Sequence, residues 1–455
     1  MLPDQEKLNK IASHCYKFWA EILIQEPPSR PNSLMNDHKI IVEKLNELKN
    51  ILSSNREKDN LEIINREDNL TTFKKWCKDE QIFFDKVDII KIDDNNYGLV
   101  STEDVMDKQV LIKVPRKAIF SIDTIHENPI YKKIIVNDIL LSNMNNVALV
   151  FFMCIERLNK DSKWQDYFNI LPTKFTTPVN YTIEELELLK NTVIYEESLK
   201  TFRHFARQYI YFLQKLYDES SKDYSKLSIR LEDFTFDLFL WAANNVTTRI
   251  NHIPSENDQK SIPCLIPLLD FSNHSDDSKN IVDFSIEDNC AETIAGNALK
   301  KGNNITIVYG NRNNYSLFLA NGFCLQIPGI NDVFKLKLSF PSTFIESDFR
   351  VRIYRKTTDI FTCTHDDLIP ENLPLFLKLL VSGLPQDINS EDTGKKAKKY
   401  LFDRLNLLMK ATYSKVGDDL PKDMPFTLKQ IHLYLASEKR IVSKMLEKLR
   451  NMETL

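Results

Sequence analysis

The sequence predicts an α+β fold in which two β-rich pieces are separated by a long helical stretch and followed by a helical tail. Three observations predict it. Apolar residues recur at helical spacing through the first 60 residues and again from about residue 129. Runs of β-branched and apolar residues bounded by turn residues gather around 87–121 and 264–307. Beyond about Phe340 the helical period returns.

Taken in order, Ile11, Cys15, Phe18, Trp19 and Ile22 share one face of a first helix, and Pro27, Pro28 and Pro31 are expected to break it. A second helix is expected over about 37–53, carrying Ile41, Val42, Leu45, Leu48 and Ile51 before a charged linker. Phe73, Trp76 and Cys77 mark another helical face. Strands are expected at Val87–Ile92 and Tyr97–Ser101, then along 108–121, where Pro115 favours a strand end. Residues 147–155 are apolar on nearly every face, which suits a helix buried all round. Trp164 and Tyr167 follow, then a helix over about 197–217 built on Phe202, Phe205, Ala206, Ile210 and Phe212. Strand character is expected to return at Cys264. The tail reads as helical at 375–380, 396–408 and 429–449. The expected parts are an arm (1–60), a first core piece (61–128), a helical insert (129–235), a second core piece (236–335) and a tail (336–455).

The chain has 455 residues, long enough for two or three domains. Its 60 basic and 64 acidic side chains leave a net charge of −4, so no field favours nucleic acid or an anionic membrane. Seven scattered cysteines without paired C-x-x-C spacing predict a reducing compartment, cytosolic or nuclear, and no metal site. No stretch approaches the ~20 apolar residues of a membrane span, and no signal pattern opens the chain. A monomer is expected.

Two stretches carry chemistry. One runs 262–275, IPCLIPLLDFSNHS, an apolar segment closed by a cluster of polar residues; the other runs 303–314, NNITIVYGNRNN, a strand leading to Tyr309 and Gly310. An apolar segment ending in Asp-x-x-Asn-His, followed by a strand ending in Tyr-Gly, resembles the split C-terminal signature of SET-domain methyltransferases. The interrupted core with a helical tail is similar to the Rubisco large-subunit methyltransferase-like group. Within that group the resemblance is to the actin-histidine N-methyltransferase branch, carried by NRED (65–68), NNYGLVS (95–101), MNNVAL (144–149), VTTRINHIP (246–254), LIPLLDFSNHS (265–275), VYGNRNN (308–314) and NGF (321–323). It implies a SET-domain β fold with a pseudo-knot, interrupted by a helical insert, plus an all-α C-terminal substrate-binding domain.

The resemblance also implies S-adenosyl-L-methionine as cofactor and actin as protein substrate. Arg66 and Arg249, whose planar forks suit a carboxylate, would face the methionyl end, although a lone arginine is more often in a surface ion pair. Asn95, Asn96 and Tyr97 would line the cofactor. The family often has Glu-Gly-Phe there, and Asn-Asn before Gly is turn chemistry in its own right. Asp270, Phe271, Ser272, Asn273 and His274 would hold the cofactor from the motif loop, and Asn321, Gly322 and Phe323 would close over it. Tyr309 is the expected catalytic acceptor, its ordinary alternative being a core tyrosine with a satisfied hydroxyl. Asn251 is the second catalytic candidate. A lysine acceptor ionises near 10.4 and must shed a proton before attack, whereas an imidazole near 6.5 needs only its ring and tautomer fixed, which an amide could do. Asn251 could equally cap a turn before Pro254. Asn146, Ile250, Leu269, Ile307 and Arg312 are the expected substrate contacts. Leu269 stands where the histidine branch has Trp, and Ile250 where it has Gln. Two other functions stay open, a lysine methyltransferase of the same architecture and a SET-like binding module without catalysis.

Overall fold

The computed structural model describes residues 5–53, 66–93, 96–218, 220–257, 260–326, 332–345, 347–417 and 423–455. The chain divides into two compact units. The first comprises 1–27, 36–175 and 202–310, the second 28–35, 176–201 and 311–455.

Among the described residues the first unit holds three small sheets. β1 (Val87–Lys91) and β2 (Tyr97–Ser101) form a hairpin with Val87 opposite Ser101 and Lys91 opposite Tyr97. β3 (Val110–Pro115) ends at its proline, and a short turn of helix leads to β4 (Phe120–Ser121). β5 (Asn251–Pro254) pairs with β6 (Ser261–Leu265), and β6 with β4. β7 (Asn273–His274) is followed by β8 (Ile281–Ser285), β9 (Cys290–Ile294) and β10 (Asn304–Ile307). The sheet orders are β1-β2-β10-β7, β3-β9-β8 and β4-β6-β5. In the four-stranded sheet β10 runs antiparallel to β2 and parallel to β7, with Thr306 opposite Asn273 and Ile307 opposite His274. The two motif stretches are therefore neighbouring strands.

Helix Asn145–Leu158 buries every residue from Val147 to Glu156. It packs against helix Phe236–Arg249 and β6, so it meets protein on all sides, as its unbroken apolar run requires. Truncating Phe151, whose ring stacks on Phe212 at 4.4 Å, removes a fully buried side chain, a change of about 3–5 kcal/mol. Seven cysteines are present as buried thiols.

The second unit carries the hairpin β11 (Val333–Ser339) and β12 (Thr358–Thr364), with helices Asn372–Val381, Glu391–Ala411 and Phe426–Asn451. Phe334, Leu336 and Leu338 of β11 and Phe361 and Cys363 of β12 point into its core, where Phe340 stacks on Phe376 at 4.4 Å.

Four expectations are corrected. Pro31 does not break a helix but opens one, Pro31–Ser53, since the first turn of a helix needs no N–H from its first residue. Strand returns at Asn251, ahead of Cys264, because Asn251–Pro254 takes its partner from β6 by tertiary pairing. The stretch 108–121 is not one strand, Pro115 handing over to a turn at Arg116–Ala118. The tail is not all helical: Thr358–Thr364 alternates inward Phe361 and Cys363 with outward Ile360 and Thr362 and so pairs with β11.

Candidate functional site

The site in the first unit is built where β7, β10 and β2 meet. Its frame starts at Leu268, which is buried yet has φ 67° and ψ −47°. The Leu269 N–H donates to the Pro267 carbonyl at 2.8 Å, which makes this a γ-turn of the rare, strained hand. A side chain bearing a Cβ holds such a conformation only where its surroundings impose it. The turn sends Leu269–Phe271 into a short helical turn and delivers Asn273 and His274 to β7.

From there the contacts converge. The Asn273 amide donates to the Tyr97 carbonyl at 3.0 Å. A Cβ on Gly98 would lie 2.9 Å from that amide and 2.7 Å from Ile92 Cδ1, so any larger residue at 98 would have to displace one or both side chains. His274 Nδ1 accepts from the Tyr309 N–H at 3.2 Å, which puts the neutral ring's proton on Nε2, 3.1 Å from Asp276 Oδ1. The Tyr309 hydroxyl donates to the Ser272 carbonyl at 2.9 Å. Tyr309 lies two residues past the end of β10, and Gly310 after it has φ 88° with open space around its Cβ position. Conformation, rather than crowding, requires that glycine.

Beneath the loop is an aromatic floor. Trp76 stacks on Tyr167, Phe73 on Trp76, and Phe271 lies 5.7 Å from Phe73 and edge-on to Tyr97. Arg66 opens helix Arg66–Asp79, donates from Nε to the Ile170 carbonyl at 2.7 Å and lies 4.5 Å above the Tyr97 ring. Burial, reinforced by the charge of Arg249, pushes its pKa down to about 10. Two guanidinium groups thus repel one another in one partly buried place, an arrangement that an anion held between them relieves.

Asp270 is the acidic counterpart. Its carboxyl is buried; Oδ2 accepts from the Tyr167 hydroxyl, while Oδ1 has no hydrogen-bond partner among the described residues, nor has the buried Ser272 Oγ. Burial pushes the Asp270 carboxyl up to about 7, against the pull of the Tyr167 bond and of Arg249. The same burial, with Asp270 beside it, raises Tyr167 well above the usual phenol range.

The structure thus brings together Arg66, Tyr97, Arg249, Asp270, Phe271, Ser272, Asn273, His274, Ile307 and Tyr309. Asn251 opens β5 directly after Arg249 and Ile250, its Nδ2 donating to the Arg249 carbonyl at 3.1 Å. Ile250 ends helix Phe236–Arg249, and Leu269 is buried at 1 % exposure. Asn96 is exposed and gives its amide and backbone N–H to Asp93, at 2.7 and 2.9 Å, in the β1–β2 turn. This is turn chemistry, as its residue type also suggested. Asn95 lies outside the described residues. Asn146 is exposed in the first turn of its helix. Arg312, Asn321, Gly322 and Phe323 belong to the second unit, where Arg312 donates to Asn321 at 2.7 Å and Gly322 ends helix Asn314–Asn321 at φ 79°.

Two members of the site escaped sequence reasoning. Tyr167 is one tyrosine among many, and only the fold sets it against Asp270. Leu268 gives no signal at all, since left-handed backbone is expected at Gly or Asn.

No family model matches the chain. The actin-histidine N-methyltransferase of Danio rerio is 31% identical over 273 residues, 60% of this chain and 45% of that protein. The enzyme of the same name from Xenopus tropicalis is 29% identical over 276 residues, 60% of this chain and 46% of that one. The chain thus spans about half the length of the curated relatives it matches. Among solved structures, Rubisco LSMT bound to AdoMet superposes with a TM-score of 0.67 at 18% identity, over 85% of this chain and 92% of that one. The SET domain of LSMT bound to lysine and AdoHcy gives 0.67 at 17% identity, over 85% and 91%. The chain has the SET-domain fold. The two motif stretches meet as β7 and β10, and the helices from Ile122 to Arg249 lie between β4 and β5 in the chain.

Proposed function

We propose that this SET-fold chain is an S-adenosylmethionine-dependent protein-histidine N-methyltransferase acting on the tele nitrogen of one histidine in actin. The Tyr309 hydroxyl carries the reading. Its proton is committed to the Ser272 carbonyl, so the face it turns elsewhere offers oxygen lone pairs, suited to a carbon with partial positive charge. Bound S-adenosylmethionine would supply a methyl group on a sulfonium, open to in-line displacement.

The chain's own residues fit that cofactor. The Arg66–Arg249 pair suits its carboxylate; the unpaired Asp270 Oδ1 and Ser272 Oγ suit its amine and hydroxyls, since buried polar atoms of this kind call for a partner. With Nδ2 tied to the Arg249 carbonyl, Asn251 presents Oδ1 as an acceptor. An acceptor there would hold the N–H of a neutral imidazole and leave the other ring nitrogen free to attack. The names of the Danio rerio and Xenopus tropicalis relatives support actin as substrate. One observation favours a lysine acceptor instead: Leu269 is buried and offers no flat wall for a ring.

The deciding assay uses one actin-derived peptide with the target as histidine or as lysine, from about pH 5.5 to about pH 9, so that both acceptor pKa values bear on the profile. The histidine peptide should be preferred, its rate falling below about pH 6.5 as the imidazole is protonated. Asn251→Ala should lower that rate by roughly 10- to 100-fold, the loss of one buried hydrogen bond, and Asn251→Phe should shift preference toward lysine. A wild-type enzyme that prefers the lysine peptide and gains rate steeply toward the alkaline end overturns the histidine reading.

A further inference from the structure

The second unit contains a groove of about 340 Å³ lined by every residue of β11 from Phe334 to Ser339 and, on one face of helix Glu391–Ala411, by Tyr400, Arg404 and Leu408. A sheet face shows alternate side chains; an opening lined by six consecutive residues runs along an edge. The register agrees. Phe340 donates to the Thr357 carbonyl at 2.8 Å, which fixes 338/359, 336/361 and 334/363 as the hydrogen-bonded pairs with β12. The backbone N–H and C=O groups of Lys335, Lys337 and Ser339 therefore point away from β12, toward the groove.

Lysines on such an edge ordinarily repel an incoming strand, but here both side chains are engaged, Lys335 over the Tyr315 ring at 3.7 Å and Lys337 by Glu196, which lines the groove with it. What remains is the Arg404 guanidinium, exposed and without a partner among the described residues, with the Tyr400 ring one helical turn away, 39% exposed. Donors and acceptors at strand spacing, a cation and an aromatic surface in one groove match an extended peptide that bears a carboxylate.

We infer that this groove docks an extended, acidic segment of the protein substrate, which adds to the β11 edge as a third strand and places a carboxylate on Arg404. The inference rests on reading the chain as a protein-modifying enzyme. Backbone pairing supplies affinity, and Arg404 and Tyr400 select what enters. A short peptide around a target histidine carries little binding energy of its own, so a second hold on the whole substrate has a use.

The test compares the full chain with Ser339→Pro, which removes an outward N–H from the edge, and with Arg404→Glu, an exposed change that leaves the fold alone. Binding and methylation of monomeric actin are measured beside methylation of the short histidine peptide. Both variants should raise Kd and KM for whole actin by about tenfold, a factor equal to about 1.4 kcal/mol, with peptide kinetics unchanged. Unchanged whole-actin values in the folded Arg404→Glu protein overturn the inference, as does a groove that proves to hold a second copy of the chain, seen as self-association lost in both variants. A wild type that binds actin through Ser339 and Arg404 yet methylates neither substrate sinks the catalytic reading and keeps the groove. One that neither binds nor methylates sinks both.

Discussion

Each unit contains a buried carboxyl group that burial pushes up to about 7, Asp270 in the first and Glu438 in the second, and the two are finished differently. In the second unit Glu438, fully buried, accepts from the Tyr413 hydroxyl at 2.9 Å and from the Tyr434 hydroxyl at 2.5 Å, one on each oxygen. In the first unit Asp270 accepts from Tyr167 on one oxygen and leaves the other without a partner among the described residues, within the pull of Arg249. Burial raises both to about 7. A perturbed carboxyl is therefore not in itself the mark of a working site. What separates the two is satisfaction: Glu438 has a donor on each oxygen, whereas Asp270 keeps one oxygen for a further partner.

The largest expected effect tests the capped side. Glu438→Ala leaves two tyrosine hydroxyls buried without an acceptor and should lower stability by about 3 kcal/mol in a urea titration, with S-adenosylmethionine affinity of the folded fraction unchanged. Cofactor binding that weakens in step with stability would erase the contrast. Next, Tyr309→Phe should cut turnover by roughly 100-fold while cofactor Kd stays nearly constant, because the hydroxyl acts on the moving group; parallel losses in both would remove Tyr309 from the chemistry. Third, Asp270→Asn should weaken cofactor binding by about tenfold and change stability by less than about 1 kcal/mol. An effect on stability alone would make Asp270 a second Glu438. A fourth test concerns pH dependence. An Asp or Glu of the unfolded chain ionises near 4, whereas these two hold their protons to about 7. The stability they contribute is therefore present below about pH 4 and is lost as pH rises through 7. Urea midpoints between those limits should decline in the wild type and decline less in Asp270→Asn combined with Glu438→Gln; equal slopes would refute the assignment.

Where residue chemistry and local pattern coincide, the fold was legible. The stretches DFSNHS and ITIVYG announce a polar loop and a strand, and they meet as β7 and β10. The run Val147–Ile155 announces a buried helix, and it is buried. Legibility fails where tertiary pairing decides. Asn251–Pro254 has no alternation of its own and becomes a strand only against β6; Pro31 reads as a breaker until the helix it starts is seen. The site behaves likewise. Motif residues could be named in advance, and the turn chemistry of Asn96 with them, but the Tyr167 cap on Asp270 and the strained turn at Leu268 depend on contacts between distant segments or on backbone angles that no residue type specifies.

The position of β10 has a consequence for how the chain is made. β10 fills the gap between β2 and β7, yet β2 ends at Ser101 and β10 begins only at Asn304. At ribosomal speeds the intervening chain takes on the order of ten seconds or more to synthesise. Throughout that interval the nascent β1–β2 hairpin carries an edge whose eventual partner does not yet exist, and such edges recruit the wrong strands. The catalytic candidate Tyr309 sits just past this late-arriving strand, so premature termination anywhere before it yields a protein lacking both its sheet centre and Tyr309, and newborn chains should depend on holding chaperones until about residue 310 has emerged.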